Sequence, residues 1–206
     1  VTRLPEGTAV PGPESRPHHP PPPQRSRATF LRIVLTSVLF ALAWGSLLGF
    51  RPLTEPDEGR YAEIPREMVR SGDWLTPRLA GYLYFEKPPL QYWATASAFS
   101  LFGLSEWAAR LWPALTGLLG LASVWFAGNR LFPRGAGGIA ALLLGSSFLY
   151  FGLGHVNNLD MGPTAFLGIA LASFALAQQN RDAPAANRNW MLVCYASMAL
   201  AVLSKG

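Results

Sequence analysis

The sequence predicts an all-α polytopic membrane protein with about five transmembrane helices and amphipathic surface helices in its first outer loop. Three observations carry this. Half of the 206 residues are apolar and only 14% are charged, whereas a soluble chain carries about 25% charged residues. The apolar residues are gathered into long runs separated by short polar segments. The basic residues flank those runs, where they act as topology signals. The net charge of +5 does not point to nucleic acid, because the cations form no reading helix and no zinc-finger or RNA-binding signature occurs.

Residues 1–28 hold Pro5, Pro11, Pro13, Pro17, the run Pro20 to Pro23, and Arg3, Arg16, Arg25 and Arg27. Such a segment cannot bury apolar surface, so a disordered Pro/Arg-rich cytoplasmic tail is expected. His18 and His19 lie there without neighbouring ligands and read as solvated. Ile33 to Phe50 is the first predicted span, since a helix over this run covers about 27 Å, close to the hydrocarbon thickness. Leu90 to Phe102 is apolar but too short to cross, and its Tyr92, Trp93, Phe99 and Phe102 suit a helix along the membrane surface. Leu111 to Phe132 and Ile139 to Gly154 follow as spans, then the shorter runs Ala165 to Ala177 and Trp190 to Leu203. Cys194, the one cysteine, falls in the last run and reads as a buried structural thiol. Arg130 and Arg134 lie between spans two and three, Arg181 and Arg188 between spans four and five, and none between His155 and Gly162. The positive-inside rule then puts the N-terminus in the cytoplasm and the first long loop outside.

That loop contains the densest polar stretch, Glu55 to Trp93. Tyr61, Ile64 and Met68 recur at helical spacing, which predicts an amphipathic helix from Asp57 to Arg70 resting on the membrane with Arg60, Glu63, Glu67 and Arg70 toward water. Pro65 predicts a kink, or a start near Ile64. Asp57 and Glu58 stand at the helix start, where the dipole favours carboxylates and capping alone would account for them. Two prolines stiffen the chain after Lys87 in Phe85-Glu86-Lys87-Pro88-Pro89, so its ammonium can be presented to a phosphate, pair with Glu86, or snorkel. Asp160 is the sole acid between Glu106 and Asp182. At a span boundary it is either a cavity acid or a helix cap. Lys205 ends the fifth run on the same side.

The strings Pro56-Asp57-Glu58, Arg60-Tyr61-Ala62-Glu63-Ile64, Arg66-Glu67-Met68, Ser71-Gly72-Asp73-Trp74 and Tyr84-Phe85-Glu86-Lys87-Pro88 with Tyr92-Trp93 resemble the first outer loop of bacterial lipid-linked-sugar glycosyltransferases. These are the aminoarabinose transferases that modify lipid A and their relatives among the protein mannosyltransferases. Leu159-Asp160-Met161 and Leu203-Ser204-Lys205-Gly206 extend the likeness, which covers about residues 33–206. The resemblance implies a GT-C-like fold in the bacterial inner membrane and inverting transfer from a polyprenyl-phosphate sugar to a lipid or protein acceptor at the periplasmic face. It implies Asp57 and Asp160 as catalytic acids, Asp57 as general base, and Lys87 on the donor phosphate. Glu58, Glu86, Arg60, Tyr61 and Lys205 are the further substrate-binding residues it implies. No cofactor motif is seen. A divalent cation is left open, since acid pairs can ligate one but no histidine-containing spacing demands it. Residues 29–206 are then the N-terminal part of the transferase domain, with its first periplasmic loop at 51–110, and the chain is expected to be a fragment. A nonenzymatic membrane module that binds lipid carrier or partner helices is the rival reading. A transporter is disfavoured because charges cluster at one face and no repeats are seen.

Overall fold

A computed structural model describes residues 27–179 and 184–206; the predicted tail, apart from residues 27 and 28, and Arg181 lie outside the described residues. The chain divides into two compact units, Val1–Ser37 and Val38–Gly206. In the first, the described residues belong to the start of helix α1 (Arg27–Ser46). The rest of the architecture lies in the second: α2 (Asp57–Ser71), a two-stranded hairpin β1 (Arg78–Leu79) and β2 (Tyr82–Leu83), α3 (Leu90–Phe102), α4 (Glu106–Leu131), α5 (Ala136–Ser146), α6 (Phe148–Gly154), α7 (Met161–Gln179) and α8 (Pro184–Lys205).

A helix stands at each of the five predicted runs. By length and apolar content α4 and α7 are able to cross a membrane, and α5 with α6 makes a third crossing if the bent pair is one span. The pair bends by 73° at Ser147. There the Ser146 and Ser147 hydroxyls donate to the Leu143 and Leu144 carbonyls, competing for acceptors that the backbone ladder would use. Cys194 is buried, as expected.

The predicted surface helix is present as α2, but two expectations about it change. Pro65 neither starts nor ends it; the helix runs from Asp57 to Ser71 with the proline inside. Its apolar face does not rest on lipid. Tyr61, Ile64 and Met68 pack against Tyr92 and Ala96 of α3 and against Leu159, and Ala62 meets Ala98, Phe99, Ala108 and Ala109. Packing on both sides of Pro65 fixes the two halves and offsets the backbone bond that proline cannot make. α3 likewise buries Tyr92 completely against protein, leaving Leu101 and Phe102 exposed. A second core joins Trp44 and Leu48 to Ala114 and Leu121 of α4, Tyr150 of α6 and Met161 of α7.

In the hairpin, Arg78 pairs with Leu83 and Leu79 with Tyr82. Its two linking residues, Ala80 and Gly81, have φ of 52° and 81°, the left-handed pair that a two-residue turn needs to match strand twist.

α4 and α5 meet where side chains are missing. A Cβ placed on Gly128 would lie 2.6 Å from the Gly137 Cα, while one on Gly138 would meet nothing within 4 Å. Gly128→Ala is therefore expected to destabilise by about 1–3 kcal/mol through overpacking. Gly138→Ala should be neutral or stabilising by up to about 1 kcal/mol. Thermal unfolding of the two variants in detergent, side by side, checks this contrast.

Candidate functional site

The site is built from the start of α2 and the segment between α6 and α7, and a buried carboxylate ties them together. Glu58 is only 1% exposed, and so is Arg110 on the first turns of α4. Arg110 Nε donates to Glu58 Oε1 at 2.7 Å and Nη2 to Oε2 at 3.1 Å. Its remaining donors reach the carbonyls of Leu48 (2.7 Å), Arg51 (2.9 Å) and Pro52 (2.9 Å). The guanidinium thus holds the chain leading into α2. On the other edge of the carboxylate, Arg51 Nη1 donates to Oε2 at 2.6 Å and the Thr54 amide at 2.9 Å. The Asn157 amide donates to Oε1 at 2.8 Å. Asn157 Nδ2 also donates to the Glu58 carbonyl, and Gln91 Nε2 to Asn157 Oδ1. Burial by itself would raise the Glu58 carboxyl, but hydrogen bonds from Arg110, Thr54 and the Asn157 backbone outweigh it and hold it well below the usual carboxylate range.

The oxygens of Glu58, which the resemblance implies for substrate binding, are engaged inside the protein. The consequence is positional. Asp57, its neighbour at the first residue of α2, is exposed, and the helix is entered from Pro56 without a side-chain cap. The Asp57 carboxylate makes no hydrogen bond or ion pair with any described residue, so it is not consumed in capping.

The other expected residues collect on the same rim. Asp160, immediately before α7, forms an ion pair with Lys205 at the end of α8, both about half exposed. Its carboxylate thus serves a cross-helix contact instead of capping α7. Gly206 approaches Pro88, where an added Cβ would lie 3.2 Å from the ring. The end of α8 therefore sits against the prolines that follow Lys87. Lys87 Nζ lies 3.4 Å from Glu86 Oε1, and Tyr84 donates from its hydroxyl to Glu86 Oε2 at 2.9 Å. The Glu86 carboxyl is lowered by that hydroxyl first and by Lys87. Tyr61 gathers the fields of the whole group: burial pushes its phenol up, Asp57, Glu86 and Asp160 add to this, and Arg60 opposes them. Arg60 and Tyr84 are likewise neighbours, the cation pulling against the burial that raises the Tyr84 phenol. Three acids (Asp57, Glu86, Asp160) and three cations (Arg60, Lys87, Lys205) thus share one rim. Among the described residues, no group of three or more His, Cys, Asp and Glu side chains is placed to hold a metal ion.

Sequence reasoning passed over Arg110, Arg51 and Asn157. The available signal was Arg110 itself: a cation set between Ala108-Ala109 and Leu111-Trp112 must find a partner once buried.

Comparison with known proteins supplies an independent line. Residues 86–206 match a family model described as dolichyl-phosphate-mannose-protein mannosyltransferase. The chain is 41% identical over 143 residues to an undecaprenyl phosphate-α-4-amino-4-deoxy-L-arabinose arabinosyl transferase from Aeromonas salmonicida, covering 69% of this chain and 26% of that protein. It is 35% identical over 184 residues to a protein of the same description from Sodalis glossinidius, covering 87% and 32%. Two crystal structures of ArnT from Cupriavidus metallidurans superpose with a TM-score of 0.80. The apo form is 41% identical, covering 88% of this chain and 34% of that one. The form bound to undecaprenyl phosphate is 43% identical, covering 85% and 32%. The chain spans about a quarter to a third of the length of these relatives.

Removing one partner of a buried ion pair costs about 3–5 kcal/mol. Glu58→Gln, which leaves Arg110 charged and unmatched, is expected to destabilise on that scale, read as a lowered thermal midpoint in detergent. Because the folded pKa of Glu58 is depressed below its ordinary value of 4.5, its contribution is full above that value and is lost as pH falls below it. The wild-type midpoint should therefore drop on acidification below about pH 4.5 more steeply than that of the variant.

Proposed function

The chain belongs to the dolichyl-phosphate-mannose-protein mannosyltransferase family, and we propose that in a protein of the relatives' full length it supplies the donor side of a membrane glycosyltransferase. It is a multi-pass bacterial membrane protein. The reaction moves a sugar from a polyprenyl-phosphate carrier to an acceptor. Observation of the rim supports this reading most: an unpaired carboxylate, Asp57, shares it with Lys87 and with the Asp160–Lys205 pair.

In an inverting transfer the acceptor oxygen forms a bond to the anomeric carbon as the carbon–oxygen bond to the carrier phosphate breaks. The proton leaves the acceptor and the electron pair leaves with the phosphate. Asp57 takes the proton, the work of a positioned general base. Lys87, on its proline-stiffened segment, meets the charge that develops on the departing phosphate, and Arg60 adds to it. Asp160 is the second acid of the cavity. Lys205 and Glu86 hold it and Lys87 in register, and Tyr61 and Tyr84 give the rim hydroxyls for the sugar.

The donor class follows from the relatives, one of which is a structure bound to undecaprenyl phosphate. The resemblance to the aminoarabinose transferases that modify lipid A favours a lipid acceptor over a protein acceptor. The rim faces the periplasm and the N-terminus the cytoplasm. This sidedness is supported by the placement of Arg130, Arg134 and Arg188 at the ends of α4, α5 and α8 away from Asp160 and Lys205; contact between the Phe126 and Trp190 rings puts the C-terminal part of α4 beside the start of α8. Cations gathered at one end mark the cytoplasmic side.

In protein of full length, Asp57→Asn is expected to lower kcat by about 10² to 10⁴-fold with the carrier still bound. Lys87→Ala should weaken carrier binding as well as turnover. Transfer from a radiolabelled polyprenyl-phosphate sugar, with the mass of the product recorded, measures both and identifies a lipid or a protein acceptor. Unchanged transfer by both variants would remove these residues from the site.

A further inference from the structure

A second charged concavity lies further along α2. Asp57 and Arg66 to Arg70 are separated by roughly 14–20 Å of helix at 1.5 Å per residue, so the two places cannot be served by one phosphate. The concavity encloses about 410 Å³ between the C-terminal half of α2 and the hairpin, and its polar lining is Arg66, Arg70, Arg78, Thr76 and Ser71, with Glu67 as its one acid.

The charges are unequally committed. Arg66 is held by Glu63 in a two-pronged ion pair. Glu67 accepts from the Gly81 amide with both oxygens at 3.2 Å, which fastens the hairpin turn to the helix. Ser71 is used within the α2 terminus. The guanidinium groups of Arg70 and Arg78, by contrast, make no hydrogen bond or ion pair with any described residue. Arg70 acts on Glu63 and Arg78 on Asp73 through space, without a bond. Arg70 is in the last turn of α2, where the helix dipole favours a cation. That does not account for Arg78, which comes from β1 to the same hollow.

Two unspent guanidiniums converging on one hollow present forked donors matched to the oxygens of a phosphate. Beside them Leu75, Tyr82 and Leu83 are 83%, 81% and 60% exposed. An apolar edge next to cations is the pattern with which a segment seats itself at a membrane interface. We propose that this hollow is a phosphate-binding site outside the catalytic rim and that it takes the headgroup of an anionic phospholipid. Arg70 and Arg78 hold the phosphate, and Leu75, Tyr82 and Leu83 enter the acyl boundary. The site stands independently of the transferase reading.

The test uses detergent-solubilised protein of full length, titrated calorimetrically with dihexanoyl-phosphatidylglycerol, dihexanoyl-phosphatidylcholine and inorganic phosphate. At about 1 kcal/mol for each cation near an anionic lipid surface, Arg70→Ala with Arg78→Ala should weaken phosphatidylglycerol binding about 30-fold. The double lysine variant should keep part of the affinity, and thermal midpoints confirm that both variants are folded. Saturable binding of phosphatidylglycerol, lost with the arginines and not reproduced by inorganic phosphate, supports the lipid site. Binding of inorganic phosphate with the same loss overturns the lipid as its source. Equal phosphatidylglycerol affinity in wild type and the double alanine variant overturns the proposal.

Discussion

Glu58 and Arg110 are both shielded from solvent, and a charge pair in that position is tolerated only while the remaining lone pairs and donors are also met. Here they are met by backbone groups and, at Glu58, also by the Arg51 guanidinium. Arg110 binds three carbonyls of the chain approaching α2, those of Leu48, Arg51 and Pro52, and Glu58 accepts from the Asn157 amide. His155 strengthens the same join, its ring nitrogens lying 2.8 Å from the Phe151 oxygen and 3.1 Å from that of Trp44. The cost of burying the pair is thereby offset by fixing two irregular segments that no apolar core could hold, because their backbone groups need partners.

From this follows a division of labour between adjacent acids. Glu58 points inward and is fully engaged, while Asp57 points outward with no bonded partner among the described residues. One peptide unit separates them, so the rigid member sets the position of the free one. The same logic holds across the join: Asn157 is bound, and three residues later Asp160 reaches the rim to meet Lys205. The buried network holds Asp57 and Asp160 in fixed positions, which the base role proposed for Asp57 requires.

Much of this was legible from sequence. Apolar runs gave the helices, because burial or a bilayer each demand the same composition, and the period of Tyr61, Ile64 and Met68 gave α2. What covers that face was not legible. Lipid and protein present equally apolar surfaces to a helix, so the sequence could not show that Tyr92, Ala96 and Leu159 occupy it. The same packing carries α2 through Pro65, where local preference alone predicts a break. Glu58 was recognised as an acid of interest through the family likeness, but its role depended on Arg110, 52 positions away. No local pattern encodes a partner at that separation. Lys87, Asp160 and Lys205 were singled out separately; their assembly with Pro88 and Gly206 into one rim is a property of the fold.

The central claim is that one carboxylate couples the entry of α2 to the segment between α6 and α7. Amide hydrogen exchange followed by mass spectrometry on protein of full length tests it most directly, comparing wild type with Glu58→Ala over peptides covering residues 51–60, 155–160 and 161–179. Coupling predicts that exchange accelerates together at 51–60 and at 155–160, including the Asn157 amide, while α7 stays protected. Acceleration confined to 51–60, with 155–160 unchanged, would contradict it.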